Sequence, residues 1–120
     1  MKKVFVSGSF NVLHAGHLQF FREARALGDS LVVSFPPADL LWSVYGKKSV
    51  LEDVDKMELL SSLEMVDEVV LSTDANAELS FLTAFRRVKP TVLAVTTDDL
   101  YMDAKRRLCE QDGVEFVVLE

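Results

Sequence analysis

The stretch Lys3-Val4-Phe5-Val6-Ser7-Gly8-Ser9-Phe10-Asn11-Val12-Leu13-His14-Ala15-Gly16-His17 decides how the rest of the chain reads. Residues 2–7 are nearly continuously apolar, which suits a strand covered on both faces. Residues 15–27 place Leu18, Phe21 and Ala24 on one side of a helix, and Gly28 stops it. Between strand and helix, Gly8 lets the backbone turn tightly and approach a ligand. The helix start presents unpaired N–H groups and the positive end of a dipole, which favour phosphate. His14 and His17 are three residues apart there and project to one side. Two imidazoles at such a place can hydrogen-bond phosphate oxygens and stabilise developing charge. They are the only histidines of the chain. A buried structural histidine is the plain alternative for either one. Zinc is a poor one, because the single cysteine, Cys109, is distant and no third histidine exists.

Outward from this corner, short β-branched runs alternate with helical patterns. Strands are predicted over residues 30–35, 66–71, 91–95 and 114–119, and helices over 52–65, 76–88 and 102–111. The third helix is expected to be capped near Thr73 or Asp74 and to end at Lys89-Pro90; Gly113 stops the fourth. Strand–helix alternation throughout implies an α/β domain with a parallel sheet and right-handed crossovers. Residues 36–50 read as an irregular loop at the carboxyl end of the second strand, the edge where such sheets bind ligands. Leu79, Leu82 and Phe85 read as core, Arg86-Arg87 as a solvated helix end, and Cys109 as inert packing.

The 120 residues are enough for one domain, expected to span 1–120, with 49% hydrophobic and 27% charged residues, a globular balance. The opening apolar run is too short for a signal peptide or a membrane span, so a cytoplasmic location is expected. A net charge of −6 argues against nucleic acid as a partner, since that surface must be cationic. It leaves room for a small phosphorylated ligand held by local cations and backbone N–H groups.

Gly8-Ser9-Phe10-Asn11-Val12-Leu13-His14-Ala15-Gly16-His17 resembles the first motif of the cytidylyltransferase-like nucleotidyltransferases, G-[ST]-F-[DN]-x-x-H-x-G-H. Residues 24–33 are similar to that family's passage from helix to second strand, and Met65-Val66-Asp67-Glu68-Val69 to its entry into the third. The likeness is strongest to glycerol-3-phosphate cytidylyltransferase and its small bacterial relatives. It implies a three-layer Rossmann-like domain whose five parallel strands run in the order 3-2-1-4-5. It also implies transfer of a nucleoside monophosphate, CMP from CTP in the cytidylyl branch, with ATP the other candidate donor. The acceptor would be a small phosphorylated alcohol or sugar. Pyrophosphate leaves, and Mg²⁺ is carried by the nucleotide phosphates with no ligands from the protein.

By the same resemblance His14, His17 and Lys47 would be catalytic. Gly8, Ser9, Phe10, Lys48 and Asp98 would join the histidines in holding nucleotide. Asn11, Lys56 and Trp42 become candidate contacts to phosphate or acceptor. Lys47-Lys48 is otherwise a solvated turn, Lys56 an exposed helix lysine, and Asp98 a helix N-cap. Trp42 and Tyr45 could together box a quaternary ammonium group, or merely cover a core edge. Thr96-Thr97 stand where the family has glycine against the nucleotide. The family's R-T-x-G-I-S-T-T segment would follow the fifth strand, where this sequence reads Val118-Leu119-Glu120. Without that segment, a divergent, non-catalytic nucleotide-binding domain is the alternative. A homodimer is expected by likeness alone.

Overall fold

A computed structural model describes residues Met1–Glu120. The strands are β1 (Lys3–Ser7), β2 (Ser30–Phe35), β3 (Glu68–Leu71), β4 (Val92–Thr96) and β5 (Glu115–Leu119). The helices are α1 (Ala15–Arg25), α2 (Ala38–Tyr45), α3 (Asp53–Ser61), α4 (Leu82–Val88) and α5 (Met102–Asp112). All pairings are parallel and the sheet order is β3-β2-β1-β4-β5, as expected. Val4 lies opposite Leu31 on one side and Val92 on the other.

Alternate strand residues feed two cores, which is why these strands read as continuous apolar runs. Val4 and Val6 pack with Leu31, Val33, Phe21 of α1 and Leu60 of α3 on one face. Phe5 and Val32 pack with Phe81, Phe85 of α4 and Leu108 of α5 on the other. The Phe5 ring meets Phe85 edge-on at 5.4 Å. Cys109 is buried in this second core, and burial pushes its thiol up to about 11. The passages into β2 and β3 are joined by Asp67, which accepts from the Leu31 N–H at 2.8 Å and pairs with Arg25 at 3.1 Å.

Three stretches differ from the sequence expectation. Residues 36–50 are not one irregular loop, because α2 lies within them. Asp39 in its first turn suits the dipole and Gly46, at φ 66°, ends it; Pro36-Pro37 and Gly46 leave only eight residues between them, which obscures the period. α3 ends at Ser61, short of Met65; the Ser62 hydroxyl bonds back to the Glu58 carbonyl at 2.7 Å and competes with continuation. α4 begins at Leu82 and not at Asn76. The Asn76 side chain accepts from the N–H groups of Glu78 and Leu79, a turn that replaces the helix's first residues. Asp74 still serves that helix from a distance, accepting from the Thr83 N–H at 2.7 Å and its hydroxyl at 2.8 Å. No helix is long and apolar enough to cross a membrane.

Candidate active site

β1 ends at Ser7, and the chain turns through Gly8, Ser9 and Phe10 into α1. Phe10 has φ 46°, in the left-handed region, a conformation that costs a non-glycine residue about 1–2 kcal/mol. Its ring offsets this by burial, with edge contacts to Phe21 at 5.2 Å and His17 at 5.6 Å. The ring folds back over Gly8, where a Cβ would stand 2.8 Å from Cζ, so only glycine fits. The backbone N–H groups of Ser9 and Phe10 find no partner within the chain. Lys56 of α3, fully buried, donates to the Ser9 carbonyl at 3.0 Å and supports the turn from behind. Burial lowers its ammonium's pKa, against an opposing effect of Asp53.

The two histidines cap α1 reciprocally. His14 Nδ1 accepts from the Gly16 N–H at 3.0 Å, and His17 Nδ1 accepts from the His14 N–H at 3.2 Å. An imidazole whose Nδ1 accepts must, when neutral, carry its proton on Nε2. Each ring is therefore locked as an Nε2–H donor. The rings lie 4.1 Å apart between centroids. Gly16 is required by this packing, since a Cβ there would come within 2.8 Å of His14 Cε1. Burial, and secondarily His14, lower the His17 pKa, so the ring favours the neutral donor form.

A cleft in two lobes opens over the carboxyl ends of β1 and β4, where the strand order reverses, the place at which such sheets take ligands. The lobe of about 340 Å³ is walled by His14, Gly16, His17, Phe10 and Phe20. The lobe of about 360 Å³ is walled by Gly8, Ser9, Tyr45, Lys47, Ser80 and Lys105. Ser7, Thr96, Asp98 and Asp99 line both and form the partition.

The structure thus brings Gly8, Ser9, Phe10, His14, His17, Lys47 and Asp98 to one cleft. Asp98 accepts from the Thr96 hydroxyl and is not the N-cap of α5, a position held by Tyr101. Lys48, Asn11, Lys56 and Trp42 line neither lobe. Asn11 is a fastener: its amide donates to the Lys48 carbonyl at 2.9 Å and accepts from the Val50 N–H at 2.8 Å. That tie explains how the segment bearing Lys47 is held beside β1. Lys56 is not an exposed helix lysine. Trp42 is 65% exposed and forms no box with Tyr45, whose hydroxyl donates to the Ala77 carbonyl at 2.7 Å and meets Ser80 Oγ at 3.1 Å. Burial raises the Tyr45 pKa, so that hydroxyl keeps its proton.

The sequence reading missed Asp99 and Lys105, an ion pair at 2.6 Å that is almost wholly buried. A signal was present: Lys105 falls on the apolar face of α5, three and four residues before Leu108 and Cys109. No group of three or more His, Cys, Asp or Glu side chains is placed to hold a metal ion.

A turn that frees backbone N–H groups, two imidazoles locked as donors and a cleft at the sheet's reversal point define an α/β domain whose switch point is lined with hydrogen-bond donors. The chain belongs to the cytidylyltransferase-like family, which it matches over residues 5–118. Among its relatives is the FAD synthase of Pyrococcus horikoshii, 32% identical over 108 residues that make up 88% of this chain and 71% of that one. The FAD synthase of Thermococcus kodakarensis is 30% identical over 82% of this chain, which spans only 64% of that relative's length. A solved structure, the lipopolysaccharide core biosynthesis protein of Thermoplasma volcanium, superposes with TM-score 0.83 at 26% identity, covering 100% of this chain and 97% of that one. The family and these relatives make the chain a member of the nucleotidyltransferases, which generally act on a nucleoside triphosphate with a divalent metal.

Proposed function

We propose that this protein transfers a nucleoside monophosphate from a nucleoside triphosphate to a phosphorylated acceptor, releasing pyrophosphate. The observation that carries this reading is the reciprocal capping of His14 and His17, which presents two Nε2–H donors beside unpartnered backbone N–H groups. Donors held in place before reaction stabilise the charge that builds on the transferring phosphate at no cost of reorganisation. The triphosphate lies in the histidine lobe and the acceptor in the lobe of Lys47. The backbone at Ser9 and Phe10, between the lobes, holds phosphate, and Lys47 faces the acceptor from the segment fastened by Asn11. No enzyme nucleophile is needed; positioning and charge stabilisation suffice.

The residues present fit a Mg²⁺ carried by the nucleotide. Both histidine Nδ1 atoms are occupied by backbone donors, whereas Asp98 on the partition supplies hard oxygen, which Mg²⁺ prefers alongside phosphate. When bound, the ion would neutralise phosphate charge; the chain's own groups do the orienting.

For the donor, the sequence pointed to CTP, but relatives named FAD synthase favour ATP. In FAD the phosphate of flavin mononucleotide is bonded to that of AMP, the two together forming its pyrophosphate link, so a flavin mononucleotide joins the small phospho-alcohols and phospho-sugars as a candidate acceptor. The test is pyrophosphate release with Mg²⁺, each nucleoside triphosphate and a panel of these acceptors. Turnover with ATP exceeding that with CTP is expected. Nucleotide binding by calorimetry without any turnover would instead support the non-catalytic alternative, to which the bulk of Thr96-Thr97 lends weight. The homodimer implied by likeness is checked by sedimentation.

A further inference from the structure

The lobe beside the histidines contains a nearly buried cation with unused donors. Lys105 is 7% exposed, lines this lobe, and makes one hydrogen bond within the chain, to Asp99 Oδ2 at 2.6 Å. An ammonium has three N–H donors. Phe81 offers only its ring face, 5.6 Å from Nζ. Two donors of a sequestered charge thus find no oxygen in the chain, an unfavourable arrangement unless a ligand or solvent oxygen meets them.

Asp99 determines where that charge sits. Its carboxylate lines both lobes, and its Oδ1 accepts from the Tyr101 N–H at 2.8 Å while Oδ2 takes Lys105. Both carboxylate oxygens are committed, so Asp99 positions the ammonium against the partition. Lys47 lines the same lobe. Of the other two carboxylates there, Asp98 is engaged by the Thr96 hydroxyl and Glu78 is exposed. Lys47 and Lys105 are thus the two cations of this lobe, and Lys105 is the buried one with unused donors.

We propose that Lys105 is a substrate-binding residue that, with Lys47, holds the phosphate of a monophosphate acceptor at the partition; this rests on the nucleotidyltransferase reading. In the step that follows, an acceptor phosphate oxygen forms a bond to the α-phosphorus of the nucleotide. The bond from that phosphorus to the bridging oxygen breaks, and pyrophosphate leaves with the electron pair. The attacking oxygen is already deprotonated, so no base is needed, and Lys105 keeps its proton throughout.

Inorganic phosphate is the probe. Its binding is titrated by ³¹P NMR on the protein alone and on protein saturated with the unreactive α,β-methylene analogue of ATP and Mg²⁺. Because Lys105→Met leaves Asp99 unpaired and can compromise folding, the double variant Lys105→Met with Asp99→Asn is measured beside it, and Lys105→Arg serves as the conservative rescue. The expected result is phosphate binding to the analogue-loaded parent, weakened tenfold or more in the double variant and largely restored by arginine. The double variant should still bind the analogue within about threefold of the parent, an expectation for a site distinct from the triphosphate's. Phosphate affinity unchanged in the folded double variant overturns the assignment. So does analogue affinity that falls as far as phosphate affinity, because Lys105 would then serve the nucleotide. Failure of the parent to bind the analogue overturns the nucleotidyltransferase reading instead, and the titration on protein alone still reads Lys105.

Discussion

The histidine lobe takes its wall of Phe10, His14, Gly16 and His17 from one short segment, whereas its neighbour collects Tyr45, Lys47, Ser80 and Lys105 from three separate parts of the chain. In the first, local rules produce the geometry: a glycine under a phenylalanine ring, a reciprocal cap and a second glycine under an imidazole. In the second, the wall exists only because α2, the residues around Ser80 and α5 converge, held by the Tyr45 hydroxyl and the Asp99–Lys105 pair. The lobe proposed to hold the triphosphate is built from short-range contacts, while the wall proposed to face the acceptor is built from long-range ones.

The largest expected effect falls on the local lobe. His17→Ala removes one locked donor and should lower turnover by about 10²–10³-fold, the range for deleting one charge-stabilising donor, in a pyrophosphate-release assay. Its circular dichroism should remain that of the parent. A variant as active as the parent would show that the lobe does not act through this ring.

Gly16→Ala separates geometry from stability within the same lobe. A Cβ within 2.8 Å of His14 Cε1 displaces the ring, and a misplacement of about 1 Å can reduce turnover by about 10²-fold. Displacing His14 also weakens the helix cap by about 1 kcal/mol, which offsets the roughly 1 kcal/mol better helix propensity of alanine, so the melting temperature should change little while activity falls.

Acid should act on the histidine lobe before the other. The His17 pKa is lowered by burial and by His14, so the unfolded chain binds the proton more readily than the folded one. Stability from this group is complete above the ordinary histidine value, about 6.5, and is lost as pH falls from there through the lower folded value. Activity should be level through pH 7 and decline only below the ordinary histidine range. A pH profile of kcat/KM with its acid limb above 7 would contradict the locked neutral donor.

The smallest effect tests the link between the lobes. Asn11→Ala unfastens the segment that carries Lys47, removing hydrogen bonds worth about 1 kcal/mol each in stability, measurable by urea titration. The KM should rise with kcat less affected, since the loss is of substrate positioning.

Much of this molecule could be read without coordinates. The strand runs, Gly28, Gly113 and the order of elements follow from periodicity and stop signals, and the parallel sheet order came with the resemblance that residues 8–17 carry. The short helix α2 escaped because prolines and a glycine bracket only eight residues, and α4 was overextended because the turn made by the Asn76 side chain was not anticipated. Lys56 and Asn11 were noticed as residues near the site, but their work as supports was not visible, since their partners Ser9, Lys48 and Val50 lie 37–47 positions away.

By itself the sequence determined the fold class, the first-strand corner and the identity of its two histidines, because each depends on groups within a few residues of one another. Only the tertiary structure decided that Lys105 is a buried cation facing a cavity and that Lys56 supports the turn at Ser9. The same holds for Trp42, which stands outside the cleft. Those facts depend on which distant atoms come into contact, and local pattern carries no measure of distance between elements.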